Sequence, residues 1–325
     1  MDRDKAASDT RIALGVSACL LGEPVRYDGG HKRDAFITDV LPDYFQLIPL
    51  CPEVAIGLGI PRAPIRLVGD PARPRAVEVK DPSRDYTDAL TRYAQRAAAG
   101  LGAISGYILK KNSPSCGMER VKVYQAEGKP PRPGRGIYAA GLMRALPLLP
   151  IEEEGRLHDP ALRENFFGRV YAYRRWQRLL AEGVNAERLV AFHSRHKLLL
   201  MAHGKERLRV LGQLVAQAGK LPVPELIRRY GEAFMQALSY PATRRRHTDV
   251  LFHAMGYLKR QLDAGDKAEL VALIEQYRLG RLPLIVPITL LRHHFRRHPQ
   301  PYMAEQSYLN PPPDMLGAGP ARPPE

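Results

Sequence analysis

Ala103-Ile104-Ser105-Gly106-Tyr107-Ile108-Leu109 runs directly into Lys110-Lys111-Asn112-Ser113-Pro114-Ser115-Cys116-Gly117. The first part is apolar and β-leaning, the pattern of a buried strand. Behind it come two lysines, two serines around a proline, and a cysteine followed by glycine. Proline pushes the residue before it toward extended backbone, so Ser113 leaves the strand in a fixed direction. Gly117 lacks a Cβ and lets backbone pass close to whatever Cys116 holds. Such a turn aims a thiolate and a hydroxyl at one point. For a cysteine on its own, the plainer reading is a buried small hydrophobe beside a polar turn.

The same setting recurs twice. Ile12 to Ala18 reads as a strand with Cys19 at its carboxyl end, and Phe45 to Leu50 as a second strand ending at Cys51-Pro52-Glu53. A glycine-marked loop between them carries Arg26, Tyr27 and Asp28, and a helix is predicted over 33–41. Further strands are predicted at 65–68, 76–80 and 121–124, with helices over 85–99 and near 137–146. Strands alternating with helices argue for an α/β N-terminal domain with a mostly parallel sheet. Ligands in such sheets bind beyond the carboxyl ends of the strands. The sheet can therefore bring Cys19, Cys51 and Cys116 together, although their separations of 32 and 65 residues match no zinc-ribbon or ferredoxin spacing.

Glu152-Glu153-Glu154-Gly155 reads as a linker. The domains are accordingly expected at 1–155, 156–300 and a Pro-rich tail over 301–325, disordered or loosely packed. Helix-period patterns predict an all-α C-terminal domain with helices near 161–182, 185–218, 223–239, 243–264, 266–279 and 284–297. Asp266 followed by Glu269 resembles a capping box. Three cysteines form no disulfide framework, and no apolar run reaches the ~18 residues of a membrane span, so a cytoplasmic, non-membrane protein is expected. No feature points to a protein partner.

Residues 156–300 hold 26 Lys and Arg against 12 Asp and Glu, an excess of 14 within a net charge of +15 for the whole chain. Arg174-Arg175-Trp176, Arg228-Arg229-Tyr230, Arg244-Arg245-Arg246-His247 and the run from Arg292 through Arg296, Arg297 and His298 mix cations with aromatics. Arginine binds phosphate bidentately and stacks on bases. The plainer reading is a set of solvated helix faces. Four clusters with uncompensated charge favour nucleic acid, with Arg174, Arg175, Arg244, Arg245, Arg246, Arg296 and Arg297 as candidate RNA contacts. Nine of the ten histidines lie in 151–325 without a convincing ligand pairing.

Three thiolates suit either zinc with an open position or a [4Fe–4S] cluster with one open iron. Glu53 offers a tunable proton donor or acceptor, and Ser113 a hydroxyl that positions water. In the plainer reading Glu53 caps a helix and Ser113 only bonds the turn.

Ser17-Ala18-Cys19-Leu20-Leu21-Gly22, Arg26-Tyr27-Asp28-Gly29, Cys51-Pro52-Glu53 and Lys110-x-x-Ser113-Pro114-Ser115-Cys116-Gly117 closely resemble the thiouracil desulfidase (TudS-like) family over about residues 10–150. The basic helical half is similar to the YbgA-type domain of longer members, which resemble tRNA 4-thiouridine desulfidases (RudS-like). The resemblance implies a [4Fe–4S] cluster on Cys19, Cys51 and Cys116 with one open iron for a thiocarbonyl sulfur. It implies catalytic roles for Glu53 and Ser113, and substrate contacts from Arg26, Tyr27, Lys110, Asn112 and Ser115. The implied reaction is non-redox hydrolysis of C=S in tRNA containing 4-thiouridine, releasing sulfide. Two alternatives stand beside it: a desulfidase of free thiouracil or 4-thiouridine monophosphate, and a non-enzymatic RNA-binding protein with structural metal.

Overall fold

A computed structural model describes residues 11–125 and 129–311. Contacts divide the chain into two compact units, with the division after Phe166. The first unit begins with strand β1 (Ile12–Ser17), β2 (Phe45–Leu50) and the single-turn helix α1 (Pro52–Ala55). It continues through β3 (Ile65–Val68), β4 (Arg75–Glu78), helix α2 (Thr87–Gly100), β5 (Gly106–Leu109), β6 (Val121–Tyr124), β7 (Arg132–Gly134), α3 (Ile137–Ala145) and β8 (Ile151–Glu153). One sheet has the order β2-β1-β5-β8 and is parallel throughout. The α/β architecture with a parallel sheet is thus the one expected. All four residues of β5 are buried, as a strand in the middle of such a sheet requires. A second, mixed sheet has the order β4-β3-β6-β7 and closes a smaller apolar core around Leu67, Leu90 and Val123.

Two local expectations fail in this unit. The helix predicted over 33–41 is a short π-type turn, Phe36–Val40, followed by a 3-10 turn, Leu41–Asp43. Pro42 removes a backbone donor there and shortens the element. The acidic linker is not a linker: Ile151–Glu153 is strand β8, paired with β5 so that Leu109 lies opposite Glu153. Glu152, Glu153 and Glu154 are 4%, 6% and 6% exposed. Glu153 and Glu154 have partners far away in sequence, which composition does not reveal.

The second unit is all-helical. Helix α4 (Pro160–Ala181) spans the division, and α5 (Ala186–Arg195), α6 (Lys197–His203), α7 (Lys205–Val215), α8 (Val223–Ser239), α9 (Arg244–Gly256), α10 (Ala264–Arg278), α11 (Ile285–Arg297) and α12 (Pro301–Ala304) follow. The single helix predicted over 185–218 is three helices, broken at His196 and at Gly204, whose φ of 140° no continuing helix accepts. The cap of α10 is Asp263, not Asp266: the Asp263 carboxylate accepts the Asp266 amide at 2.8 Å. The expected loose tail is corrected for its first part, since Met303, Gln306, Tyr308 and Leu309 are buried and three of them belong to the helical core. Residues 312–325 lie outside the described residues. Among the described residues, no helix is long and apolar enough to cross a membrane.

Candidate active site

β2, β1 and β5 are neighbours in the parallel sheet, and a cysteine follows the carboxyl end of each. Cys19 sits in the 3-10 turn Ala18–Leu21. Cys51 precedes α1, where the amides of Glu53 and Val54 face its sulfur. Cys116 lies in the long turn after β5, and Ser17 at the end of β1 bonds its side chain. All three cysteines border one cavity of about 340 Å³, together with Glu53, Ser113, Arg26, Tyr27, Lys110 and Asn112. Ser115 alone among the expected site residues of this unit is absent from the lining, and it is buried behind it.

The turn carrying Cys116 is held at both ends. Because β8 runs beside β5, Glu153 and Glu154 emerge next to Lys110. The Glu154 carboxylate accepts the Lys111 amide at 2.7 Å and pairs with the Lys110 ammonium. The Glu153 carboxylate accepts the Met118 amide at 2.7 Å and the Glu119 amide at 3.4 Å. Burial raises the Glu153 carboxyl above its ordinary value, and the two backbone donors oppose that rise. Between these clamps, the turn is suspended from the start of α3. The Gly136, Ile137 and Ala139 amides donate to the carbonyls of Gly117, Pro114 and Ser115 at 2.9, 3.1 and 3.0 Å. Amides that a helix start leaves unpaired thus find acceptors in the cysteine turn. A Cβ on Gly117 would come within 2.9 Å of the Ser113 carbonyl, and one on Gly136 within 2.5 Å of the Ser115 carbonyl. Both close approaches require glycine.

Glu53 is tied down as well. Its Oε2 accepts from Arg62 Nε at 2.9 Å and Nη2 at 2.7 Å, and its Oε1 accepts from the Ser115 hydroxyl at 2.9 Å. Ser115 therefore acts on Glu53 in this geometry. Ser113 Oγ accepts the amides of Ser115 and Cys116 at 3.2 and 3.0 Å, which leaves its own hydroxyl hydrogen free to donate. Arg26 lies over the Tyr27 ring at 5.4 Å. Asn112 adopts a left-handed φ of 60°, a conformation asparagine tolerates better than most residues.

Burial pushes the Cys19 thiol up to about 11, with Cys51 adding to the shift and Lys110 and Arg26 opposing it. Burial also raises Cys51, and it raises Cys116 well above the usual thiol range, with Glu53 the next contributor. The protein by itself disfavours thiolates here, so a cationic partner is needed to hold them. Among the described residues, no three His, Cys, Asp or Glu side chains converge closely enough for a single ion. Three soft sulfur donors bordering one cavity suit an iron–sulfur group.

The candidate RNA contacts are spread over three helices. Arg174 and Arg175 lie on α4, Arg244, Arg245 and Arg246 on α9, and Arg296 and Arg297 at the exposed end of α11. Arg244 donates to the Tyr277 carbonyl at 2.7 Å and covers its ring at 4.7 Å, and Arg246 donates to the His203 carbonyl at 3.4 Å. Sequence reasoning passed over Arg62, Glu153 and Glu154. Arg62 sits in an aperiodic Gly-Ile-Pro-Arg-Ala-Pro stretch, where the only signal was a lone cation a few residues after Cys51-Pro52-Glu53.

A family model described as 2-thiouracil desulfurase matches residues 14–154, and one described as a protein of unknown function (DUF1722) matches residues 197–313. The uncharacterized protein YbgA of Escherichia coli (strain K12) is 32% identical over 142 residues, 43% of this chain and 84% of that protein. The uncharacterized protein YbbK of Bacillus subtilis (strain 168) is 33% identical over 136 residues, 40% of this chain and 89% of that protein. Among solved structures, a [4Fe–4S]-dependent thiouracil desulfidase, TudS, is 34% identical, covering 45% of this chain and 93% of that one, with a TM-score of 0.37.

Proposed function

Since the chain belongs to the 2-thiouracil desulfurase family through residues 14–154 and joins to it a DUF1722 domain, we propose that it is an iron–sulfur-dependent desulfidase acting on 4-thiouridine in tRNA. The reaction is C=S plus water to C=O plus hydrogen sulfide, with no net oxidation or reduction. One observation carries the reading: a single cavity bordered by Cys19, Cys51 and Cys116 together with Glu53 and Ser113. The three cysteines are the residues that would hold a [4Fe–4S] cluster, which supplies, when bound, an open iron as a Lewis acid for sulfur.

The chain's own groups do the rest. Paired with Arg62, Glu53 is presented as a carboxylate, and Oε1 keeps a lone pair beyond its bond to Ser115 for a proton from water. Arg62 and Ser115 fix its orientation, so the proton is taken at a defined place. The free hydrogen of Ser113 donates toward the cavity and orients the attacking water. Arg26 and Lys111 on the border give the cavity cations suited to a phosphate-bearing substrate. The basic excess of residues 156–300 supports a polyanionic substrate.

The test is to incubate anaerobically reconstituted full-length protein with thiolated tRNA and analyse the nucleosides by mass spectrometry. Loss of 4-thiouridine with gain of uridine and free sulfide is the expected result; unchanged 4-thiouridine overturns the tRNA reading. A cavity of about 340 Å³ is near the small end of ligand sites and favours, as a second reading, the free base. The same incubation with 2-thiouracil separates the two.

A further inference from the structure

The α/β unit holds a second, larger cavity, about 920 Å³, on the outer side of the turn that carries Cys116. Its lining comes from the β3–β4 loop, the residues after Cys116, the end of β7, α2 and α3. Five arginines border it: Arg73, Arg75, Arg120, Arg135 and Arg144, all exposed. We propose that this cleft is a docking surface for the sugar–phosphate backbone of an RNA strand. This inference rests on the reading of the chain as a desulfidase of thiolated RNA and deepens it.

Charge pairing is the first argument. Several arginines of this unit are ion-paired, as are Arg33 with Asp39, Arg62 with Glu53, and Arg156 with Glu152 and Glu119. At the cleft, Arg75 reaches Asp85 only at 3.4 Å, and no ion pair engages Arg73, Arg120, Arg135 or Arg144 among the described residues. Glu119, the carboxylate of the lining, is already taken by Arg156 at 3.2 Å. Outside residues 156–300 the chain has 23 Lys and Arg against 22 Asp and Glu, so acids are plentiful and are placed elsewhere.

Chemistry and placement are the second. All five cations are arginines, whose planar forks bind phosphate bidentately and shed water more readily than ammonium groups. Arg135 donates from Nε to the Met118 carbonyl at 2.8 Å, and that bond does not use its two Nη groups. Arg120 holds a left-handed φ of 58°, and the residues just before it are fixed by the Glu153 carboxylate. The clamp that positions Cys116 therefore also positions Arg120. No aromatic side chain is among the lining residues, which weighs against base stacking and against an aromatic-anchored protein interface. Backbone phosphates remain as the group such a surface recognises.

The experiment uses the full chain and fluorescein-labelled unmodified tRNA, titrated by anisotropy over a salt series for the parent, R73E/R120E/R144E and R73K/R120K/R144K. The charge-reversed protein should bind at least about tenfold more weakly near 0.1 M salt, with a log K against log salt slope shallower by about 2 to 3, at ~0.7–0.9 per lost phosphate contact. The lysine variant should keep most of the slope, and free 2-thiouracil should be turned over equally by all three. An affinity within twofold of the parent with an unchanged slope overturns the proposal. So does a variant that loses polyglutamate binding while keeping tRNA binding, which would assign the cleft to an acidic protein. If the parent failed to desulfurate any substrate, the functional reading would fall while this binding result still stood on its own.

Discussion

Glu153 and Glu154 in the α/β unit, and His193, His196, His203 and the half-buried His247 in the helical unit, are titratable side chains with different kinds of partner. The two glutamates accept backbone amides of a loop bordering a cavity. The histidines use Nδ1 to reach the Tyr230 hydroxyl, the Phe192 carbonyl, the Tyr240 carbonyl and the Tyr308 hydroxyl at 3.1, 2.7, 2.6 and 3.0 Å. Those contacts tie helices of this unit to one another and to the segments that follow α8 and α12. Burial lowers these histidines to about 4, 3, 4 and 3, so they stay neutral at physiological pH. Perturbed titration marks chemistry only where the groups converge on a site. In the first unit the raised thiols of Cys19, Cys51 and Cys116 border one cavity, and in the second the lowered histidines bond neighbouring segments of the helical fold.

The largest effect should come from the ligands. Cys19→Ser, Cys51→Ser or Cys116→Ser should each abolish bound iron and turnover together while leaving the helical circular-dichroism signal intact. Full iron content in Cys116→Ser would remove the cysteines from the comparison. Next come Glu53→Gln and Ser113→Ala, expected to keep iron and lose ~10²–10⁴-fold in rate; parental rates in both would reduce these residues to turn and cap. Glu153→Gln and Glu154→Gln should cost about 10–100-fold in metal affinity or activity, the range for groups that orient metal ligands. Titrating iron against chelator checks this, and an unchanged retention curve would break the clamp argument.

The smallest and most diffuse effect belongs to the helical unit. A histidine whose proton affinity falls on folding binds its proton more readily when unfolded. Stability present above pH ~6.5 therefore drains away as pH falls toward the folded values, and each tenfold loss of proton affinity is worth about 1.4 kcal/mol. Thermal unfolding followed by helix signal should shift downward between pH 7 and pH 5. A flat melting temperature across that range would show that these histidines are not neutral staples.

The parallel sheet and its three cysteines were legible because each cysteine ends an apolar run with a turn signal, and local pattern suffices for that. Arg62 was not, because its pairing with Glu53 is made by a loop that folds back, and loops carry no period. The run Glu152 to Glu154 misled for the opposite reason: three adjacent acids look solvated until the amides of a distant loop are known to be waiting for them. The break of 185–218 at Gly204 depended on one residue's φ, and the docking of Met303, Tyr308 and Leu309 on a core assembled from several other helices.

The central claim is that the three cysteines, Glu53 and Ser113 form one desulfurating site. The most direct measurement is sulfide released per protein from thiolated tRNA and from 2-thiouracil by anaerobically reconstituted full chain, with bound iron quantified in the same samples. The account expects sulfide and desulfurated product in equal amounts from the parent, none from Cys116→Ser, and iron without sulfide from Glu53→Gln. Full iron loading with no sulfide from either substrate, or sulfide release persisting in Cys116→Ser, would contradict it.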